Sequence, residues 1–220
     1  MKEVLIMTLP MTVTSTCSIC GTVSKQTRLA STNIIGSSDL DLRPPEMKRS
    51  TMWAWLEECP KCGYVAKTLS TPCPLPREFL QSDAYKTCDG IRFRSQLAPR
   101  FYRCHMIQLR TGSVENAMRR ALEAAWLCDD ARDTDNAILC RDLAAESMQT
   151  LRRESPEDET LAVRQLDILR RAGRFDDVLA AHAEIDLQQL PELHQKLVAF
   201  EVAKAKLHDA GRYTVADALS

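Results

Sequence analysis

Four cysteines in the first third of the chain carry the clearest chemical signal. They form two Cys-x-x-Cys-Gly motifs, "CSICG" at residues 17–21 and "CPKCG" at residues 59–63. Two intervening residues let both sulfurs of a pair reach one side of a tight turn. A glycine after the second cysteine permits positive φ, so that backbone N–H groups can point at the thiolates. Two such turns on separate hairpins supply four thiolates in a tetrahedron, which suits structural Zn²⁺ and leaves no coordination position open.

The sequence therefore predicts one structural Zn²⁺ ion held by four thiolates, those of Cys17, Cys20, Cys59 and Cys62. The 38-residue segment between the pairs is longer than the commonest spacing and suits a zinc ribbon with an elaborated loop. A redox role is disfavoured because no βαβ pattern surrounds either pair. Iron stays open as an alternative because the same four thiolates also bind iron.

The remaining five cysteines lack the paired spacing of a metal site, and we expect buried free thiols at Cys73, Cys88, Cys104, Cys128 and Cys140. A second metal site that includes His105 is the alternative. The odd total of nine cysteines argues against a disulfide scaffold. The N-terminal "MKEVLIMTLPMTVTSTC" is too short to span a bilayer and poorly shaped as a signal peptide, so we expect a cytoplasmic protein without membrane association.

One polar cluster lies near the metal motifs, in the loop "SSDLDLRPPEM". Its members are Asp39, Asp41 and Arg43. We favour a structural loop in which the aspartates cap turns and the arginine pairs with them. A ligand-binding loop is the alternative, because long loops in compact domains often carry function.

The chain divides at "STPCPLP", residues 70–76, where three prolines can continue neither a helix nor a strand. We predict a zinc-ribbon-like domain at 1–72 and a helical domain at 73–220. The first is rich in Thr, Ser and β-branched residues. Within it, "KQTRLASTNII" and "TMWAWLEE" read as short strands, the second with Trp53 and Trp55 on one face.

The second region has helical spacing throughout, as in "SVENAMRRALEAAWLCDD", whose apolar residues form one stripe. Further helices are predicted in "REFLQSDAYKTC", "APRFYRCHMIQLRTG", "TDNAILCRDLAAESMQTLRRES", "EDETLAVRQLDILRRAG", "FDDVLAAHAEI", "LPELHQKLVAFEVAKAKLHDAG" and "YTVADALS". Their connections are short, so consecutive helices should be antiparallel neighbours. The predicted fold class is α+β, mainly α, with a small N-terminal β zinc ribbon and C-terminal antiparallel helical hairpins.

A weak internal repeat supports this organisation. "ILRRAGRFDDVLA" aligns with "AKLHDAGRYTVADAL", which places Gly173 opposite Gly211, and Gly112 occupies a third such turn. A glycine at the end of each helix is expected to turn the chain between antiparallel helices. The pattern resembles tetratricopeptide-type repeats, which would form a solenoid. An ordinary helical bundle is the alternative, because the spacings depart from the usual period.

Taken together, the cysteine motifs, "GSSDLDLRPPEMKRSTMWAWLEECPKCGYVA" and the later "AAWLCDD" resemble a family of bacterial proteins of unknown function. Its members join an N-terminal zinc-ribbon-like domain to tetratricopeptide-like helices. The resemblance implies this two-part architecture and a metal role for the four paired cysteines. It implies no activity.

Charge is balanced over the whole chain, with 29 basic and 30 acidic residues, but it is uneven along it. Residues 77–120 hold 9 basic and 4 acidic side chains, whereas residues 129–186 hold 8 basic and 15 acidic ones. Solvated helix faces are the simplest explanation. The alternative is a polar docking surface, for which Asp176 and Asp177 are the candidate residues.

Three functions compete at this point. We favour a non-enzymatic scaffold or adaptor that binds a protein or peptide partner, because helical repeats present concave interaction surfaces. A nucleic-acid-binding zinc ribbon is the first alternative, and near-neutral charge counts against it. An enzyme with a site between the two halves is the second, although no P-loop, nucleophile elbow or dinucleotide fingerprint occurs. The oligomeric state is left open.

Overall fold

A computed structural model describes residues 8–155 and 158–220 of the chain, so the first seven residues of the N-terminal apolar segment lie outside it. The protein has an α+β fold that is mainly helical, as predicted. Antiparallel hairpins occupy the N-terminal part and helices follow. No helix in the described ranges combines the length and the apolar character needed to cross a bilayer.

Three antiparallel strand pairs build the N-terminal part. Strands β1 and β2 form the longest hairpin, and the other two pairs contain two residues per strand. Their bounds are β1 Leu9–Thr16, β2 Val23–Ser31, β3 Ile34–Ile35, β4 Glu46–Met47, β5 Glu57–Glu58 and β6 Val65–Ala66. The predicted strand "KQTRLASTNII" is extended as expected, but it is divided between β2 and β3, which belong to separate sheets.

The predicted strand "TMWAWLEE" is largely wrong. Residues Lys48–Ala54 form a 3₁₀ helix, and only the final Glu57–Glu58 is a strand. The Trp55 indole N–H donates to the Thr51 hydroxyl four residues earlier. Buried Met52 and Leu56 share this helical spacing. Burial of these two side chains overrides the β propensity of the Thr and Trp residues.

The helices are α1 Asp83–Thr87, α2 Ala98–Arg110, α3 Val114–Asp130, α4 Thr134–Glu154, α5 Glu159–Arg171, α6 Phe175–Ala183 and α7 Glu192–Lys206. From α2 to α7, each helix packs on the next one along the chain, and α5 also contacts α7. Fully buried alanines such as Ala121, Ala144 and Ala145 let the helices approach closely. The Pro-rich segment before α1 leads into a short 3₁₀ turn at Phe79–Gln81.

Among helices α2 to α7, four end in the same way, with a left-handed residue that reverses the chain. Gly112 and Gly173 hold this position after α2 and α5, as predicted, with φ of 77° and 76°. Arg132 and His208 hold it after α3 and α7, both with φ of 54°. In each turn the next N–H donates to a carbonyl five residues earlier, as from Ser113 to Gln108, which is the Schellman arrangement.

The expectation for Gly211 was wrong. It lies beyond the turn after α7 and does not have positive φ, and the predicted helix "YTVADALS" is absent except for a 3₁₀ turn at Asp217–Leu219. The Arg170 guanidinium donates to the carbonyls of Asp209 and Gly211 and turns the chain away from helical continuation. The C-terminal segment then pairs with the loop after β3, through a bridge between Asp39 and Thr214.

Candidate metal centre

The two cysteine motifs form the turns of two separate hairpins, as predicted. Cys17 begins the turn between β1 and β2, and Cys59 begins the turn between β5 and β6. In each turn the N–H of the glycine donates to the carbonyl of the first cysteine, at 2.8 Å for Gly21 and 3.0 Å for Gly63. The two glycines have φ of 70° and 71°. The motifs are therefore two copies of one knuckle, with a positive φ that favours glycine.

The four thiols converge on one point. The sulfurs of Cys17, Cys20, Cys59 and Cys62 all lie within 4.8 Å of one another. Across the two knuckles, the Sγ–Sγ distance is 3.7 Å from Cys17 to Cys62 and 3.6 Å from Cys20 to Cys59. A tetrahedron of thiolates at about 2.3 Å from a central Zn²⁺ has edges of roughly 3.8 Å. The arrangement thus fits a four-thiolate metal site.

The fold shifts the pKa values of three of these thiols in different directions. Burial raises the pKa of Cys17 and Cys62 above the ordinary thiol value. Burial acts on Cys20 as well, but the Thr22 hydroxyl at 3.2 Å and the Thr22 backbone outweigh it and lower the pKa of Cys20 to about 6. A divalent cation held by the cluster would favour the thiolate form of its ligands.

The second knuckle is anchored to the rest of the fold by buried polar contacts. Buried Glu57 accepts from Arg28 Nε of β2 at 2.5 Å and from the Leu69 N–H at 2.8 Å. The Tyr85 hydroxyl of α1 donates to the Gly63 carbonyl at 2.6 Å. These contacts fix the position of the second knuckle relative to β2 and α1, and the two cysteine pairs face each other.

The other five cysteines are free thiols in the structure. Cys88, Cys104, Cys128 and Cys140 are buried, and Cys73 is half-buried. Burial raises the pKa of Cys104 to about 12, which keeps it protonated. His105 uses Nδ1 in a 2.8 Å hydrogen bond with the Ala117 carbonyl. Among the described residues, the paired cysteines form the sole cluster with metal-ligand geometry.

Asp39, Asp41 and Arg43 are buried, although they belong to a loop. Arg43 donates to both Asp130 carboxylate oxygens at the end of α3, at 3.0 and 2.5 Å. Asp41 accepts from the Trp126 indole at 2.7 Å, and Asp39 accepts from Arg49 at 2.6 Å. The loop side chains thus bind the N-terminal part to α3.

Sequence reasoning missed the helical half of this network. Buried Arg141 of α4 contacts the Asp129 carboxylate at 2.5 Å, and Arg171 of α5 contacts it at 2.7 Å. Both arginines lie 3.9–4.0 Å from Asp41. Burial would raise the pKa of Asp129, but the hydrogen bonds and charges of the two arginines prevail and lower it. The one available signal was Arg141 itself, a charge at a core position in "ILCRDLAA".

The candidate partner residues Asp176 and Asp177 are exposed in the first turn of α6. Asp177 pairs with Arg174 at 2.6 Å. It also lines a groove of about 470 Å³ that runs across α4, α5 and α6. Polar residues Arg152, Gln165 and Glu184 line the same groove, and Asp176 lies outside its lining.

Comparison with known proteins returned nothing: no protein-family model, curated protein or solved structure matches the chain. The bacterial family named above therefore stays a prediction, and the function has to be argued from the geometry.

Proposed function

We propose that the protein is a non-enzymatic adaptor, in which a structural Zn²⁺ stabilises the N-terminal hairpins and the helical stack binds a protein or peptide partner. The groove across α4, α5 and α6 carries this proposal. Three successive helices line it, and concave surfaces on stacked helical hairpins are the usual binding surfaces of repeat proteins.

Zinc is the metal proposed because four thiolates in two knuckles fill a tetrahedral shell. A closed shell leaves no position for water or substrate, so the metal serves the fold and not a reaction. Elemental analysis of the purified protein tests this point. One zinc per chain is expected. One iron per chain would instead indicate a rubredoxin-like iron site.

The helical stack supports a tetratricopeptide-like interpretation. Neighbouring helices pack in chain order, and α5 packs on α7 as well as on α6. This order of contacts is expected of a solenoid, in which each hairpin rests on the next. A left-handed residue reverses the chain between α2 and α3, between α3 and α4, and between α5 and α6.

The groove has a polar character that suits a specific partner. Two of its arginines are already paired with carboxylates of other segments, since Arg152 lies 3.3 Å from Glu184 and Arg174 lies 3.4 Å from Asp142. Ala180 and Ala181 contribute small side chains to its lining. A partner with side chains of both charge signs could exchange with these pairs and gain specificity.

A charge reversal tests the adaptor role. Asp176→Lys with Asp177→Lys should leave the fold intact, because both side chains are exposed. It should remove the partners that the wild-type protein captures from its host, as identified by mass spectrometry. Glu192→Lys, at an exposed position of α7, is the matched control and should capture the wild-type set.

Three results would overturn the proposal. In the first, the reversed protein captures the same partners as the wild type. In the second, capture depends on the basic section at 77–120. In the third, nucleic acid is recovered in place of protein. Binding to nucleic acid would show itself by an affinity that falls steeply with salt.

A further inference from the structure

A cleft of about 970 Å³ separates the N-terminal hairpins from the helical stack. One side is formed by β2, the loop at 36–45 and the 3₁₀ helix after β4, and the other by α3 and α5. Small-molecule sites measure roughly 300–1,000 Å³ and prefer the junctions between structural units. The cleft is at the upper end of this range and is distinct from the groove on α4–α6.

The floor of the cleft is apolar. Met118, Leu122 and Trp126 recur at intervals of four residues on α3 and line it, with Trp55 contributed by the hairpin side. The sequence pattern assigned the α3 residues to the core, and all three are indeed buried. They therefore form part of the core and also a floor against which an apolar body can pack.

The rim of the cleft is cationic. Its lining holds six basic side chains, Arg28, Lys48, Lys67, Arg119, Arg120 and Arg164, against two acidic ones, Asp41 and Glu123. Both acids are engaged, since Asp41 accepts from Trp126 and Glu123 lies 2.6 Å from Arg120. Burial also raises the pKa of Glu123 to about 7, which reduces its negative charge at neutral pH.

Three of these cations, Lys48, Lys67 and Arg164, are exposed, and none takes part in an ion pair with any residue that the structure describes. The two lysines lie together on the hairpin side of the cleft. Ordinary surface lysines would be strongly hydrated and of little consequence. These two, however, border an apolar floor, where an anion attached to an apolar body would gain from both parts of the site.

Leu42 adds an independent observation. It lies between buried Asp41 and Arg43, lines the cleft, and is half-exposed. Its φ is 66°, a left-handed conformation that is unfavourable for a residue with a Cβ. Backbone strain of this kind tends to occur at functional sites. The loop thus holds an apolar side chain at the rim of the cleft, where it would be covered by a ligand.

We propose that this cleft binds a small amphiphilic anion, a molecule with a carboxylate, sulfonate or phosphate head on a bulky apolar body. The body packs on the α3 floor and against Leu42, and the head lies near Lys48 and Lys67. The site is separate from the adaptor groove, so either proposal can fail without the other.

The test uses two fluorescent probes that share one ring system. 8-Anilinonaphthalene-1-sulfonate carries an anionic head, and N-phenyl-1-naphthylamine lacks it. We expect one saturable sulfonate site per folded chain, at least tenfold tighter than the neutral probe. Energy transfer from tryptophan to the bound dye should be reduced by Trp55→Phe, because Trp55 lines the cleft.

Variants then separate the two parts of the site. Lys48→Gln with Lys67→Gln should weaken the sulfonate probe about tenfold and leave the neutral probe unchanged. Lys86→Gln with Lys206→Gln removes two exposed lysines outside the cleft and is the matched control.

Leu42→Asn should weaken the binding of both probes, since Asn tolerates positive φ but supplies no apolar contact. Leu207→Asn, at an exposed leucine elsewhere, should change neither.

Competition identifies the head group. Dodecanoate and dodecyl phosphate, each below its micellar concentration, should displace the sulfonate probe, whereas dodecanol should do so poorly. The relative strengths of the first two distinguish a carboxylate from a phosphate ligand. The proposal is overturned if the dye binds without saturation, if both probes bind equally, if the two-lysine variant binds as wild type, or if only acidic peptides displace the dye.

Discussion

The hairpins that carry the cysteine cluster and the helical stack reach a defined fold by different means. The hairpins have exposed strands, as in β1, where Ser15 alone is buried, and they converge through four thiols and the buried carboxylate of Glu57. The stack has long helices with fully buried alanines and repeated left-handed turns. In the hairpins, stability depends on a few long-range contacts. In the stack, it comes from many local ones.

Loss of the metal should therefore affect the two regions unequally, and this is the largest effect we expect. Cys59→Ser and Cys17→Ser each leave three thiolates, so both should lose zinc and unfold the hairpins while the helices persist. A small β unit buries too little apolar surface to fold without its metal. The measurements are zinc content and far-UV circular dichroism, which should retain most of its helical signal.

Cys73→Ser is the control, because Cys73 is half-buried and lies outside the thiol cluster. It should keep the metal and the fold. If the helices melted together with the hairpins in Cys59→Ser, the two regions would form one cooperative unit and the contrast between them would be lost.

The contact between the two regions supplies the second prediction. Arg43 is buried, and its Asp130 partner is half-exposed. Arg43→Ala removes the bonds from the buried guanidinium to the Asp130 carboxylate and the Trp126 carbonyl. It should lower the free energy of unfolding by about 2–3 kcal/mol, since hydrogen bonds that involve a charged group contribute roughly 1.5–3 kcal/mol. Urea unfolding should then separate into two transitions, first of the hairpins and then of the helices.

Arg119→Ala is the control. It breaks an exposed pair with Glu115 and should lower the free energy of unfolding by less than about 1 kcal/mol. A single unchanged transition in Arg43→Ala would show that the loop does not couple the regions.

Glu123 of α3 gives the third prediction, a pH dependence. Burial raises its pKa to about 7 in the folded protein, against 4.5 for an ordinary glutamate, although the charges of Arg120 and Arg119 oppose the shift. The stabilising effect of the protonated form is complete below about pH 4.5 and is lost as the pH rises through 7. Glu123→Gln should therefore remove this decline, a gain of up to roughly 3 kcal/mol at pH 8 relative to pH 4. Unfolding curves at both pH values measure it.

Glu115→Gln removes the same charge from an exposed position of α3 and controls for the change in net charge. Parallel curves for wild type and Glu123→Gln would mean that the ion pair with Arg120 keeps Glu123 charged throughout the range.

How well each region could be predicted follows from the same contrast. The knuckles and most helices could be predicted because their sequence signals are local. These signals are paired cysteines followed by glycine, and apolar residues at helical spacing. The loop residues Asp41 and Arg43 could be recognised as a polar cluster, but their partners Trp126 and Asp130 lie more than eighty positions away.

The error at "TMWAWLEE" has a similar origin, since the burial of Met52 and Leu56 depends on distant residues. The C-terminal segment was misassigned because contacts with Arg170 and the loop after β3, which no local pattern reports, decide its path.

The smallest effects test the helical turns, where two residue types perform one task. Gly173 and Arg132 both adopt positive φ after a helix, and no atom lies within 4 Å of a Cβ placed on Gly173. Gly173→Ala therefore adds backbone strain without a steric clash and should destabilise by about 1 kcal/mol. Arg132→Gly relieves the same strain, and its side chain is exposed, so it should stabilise by up to about 1 kcal/mol. Thermal unfolding of the two variants measures the sign and size of each change in stability.

Changes of opposite sign and similar size would mean that turn geometry is the dominant requirement at both positions and that the stack tolerates strain at one of its turns. Destabilisation by Arg132→Gly would instead assign the arginine side chain a contact that matters more than the backbone, and the turns would no longer be equivalent.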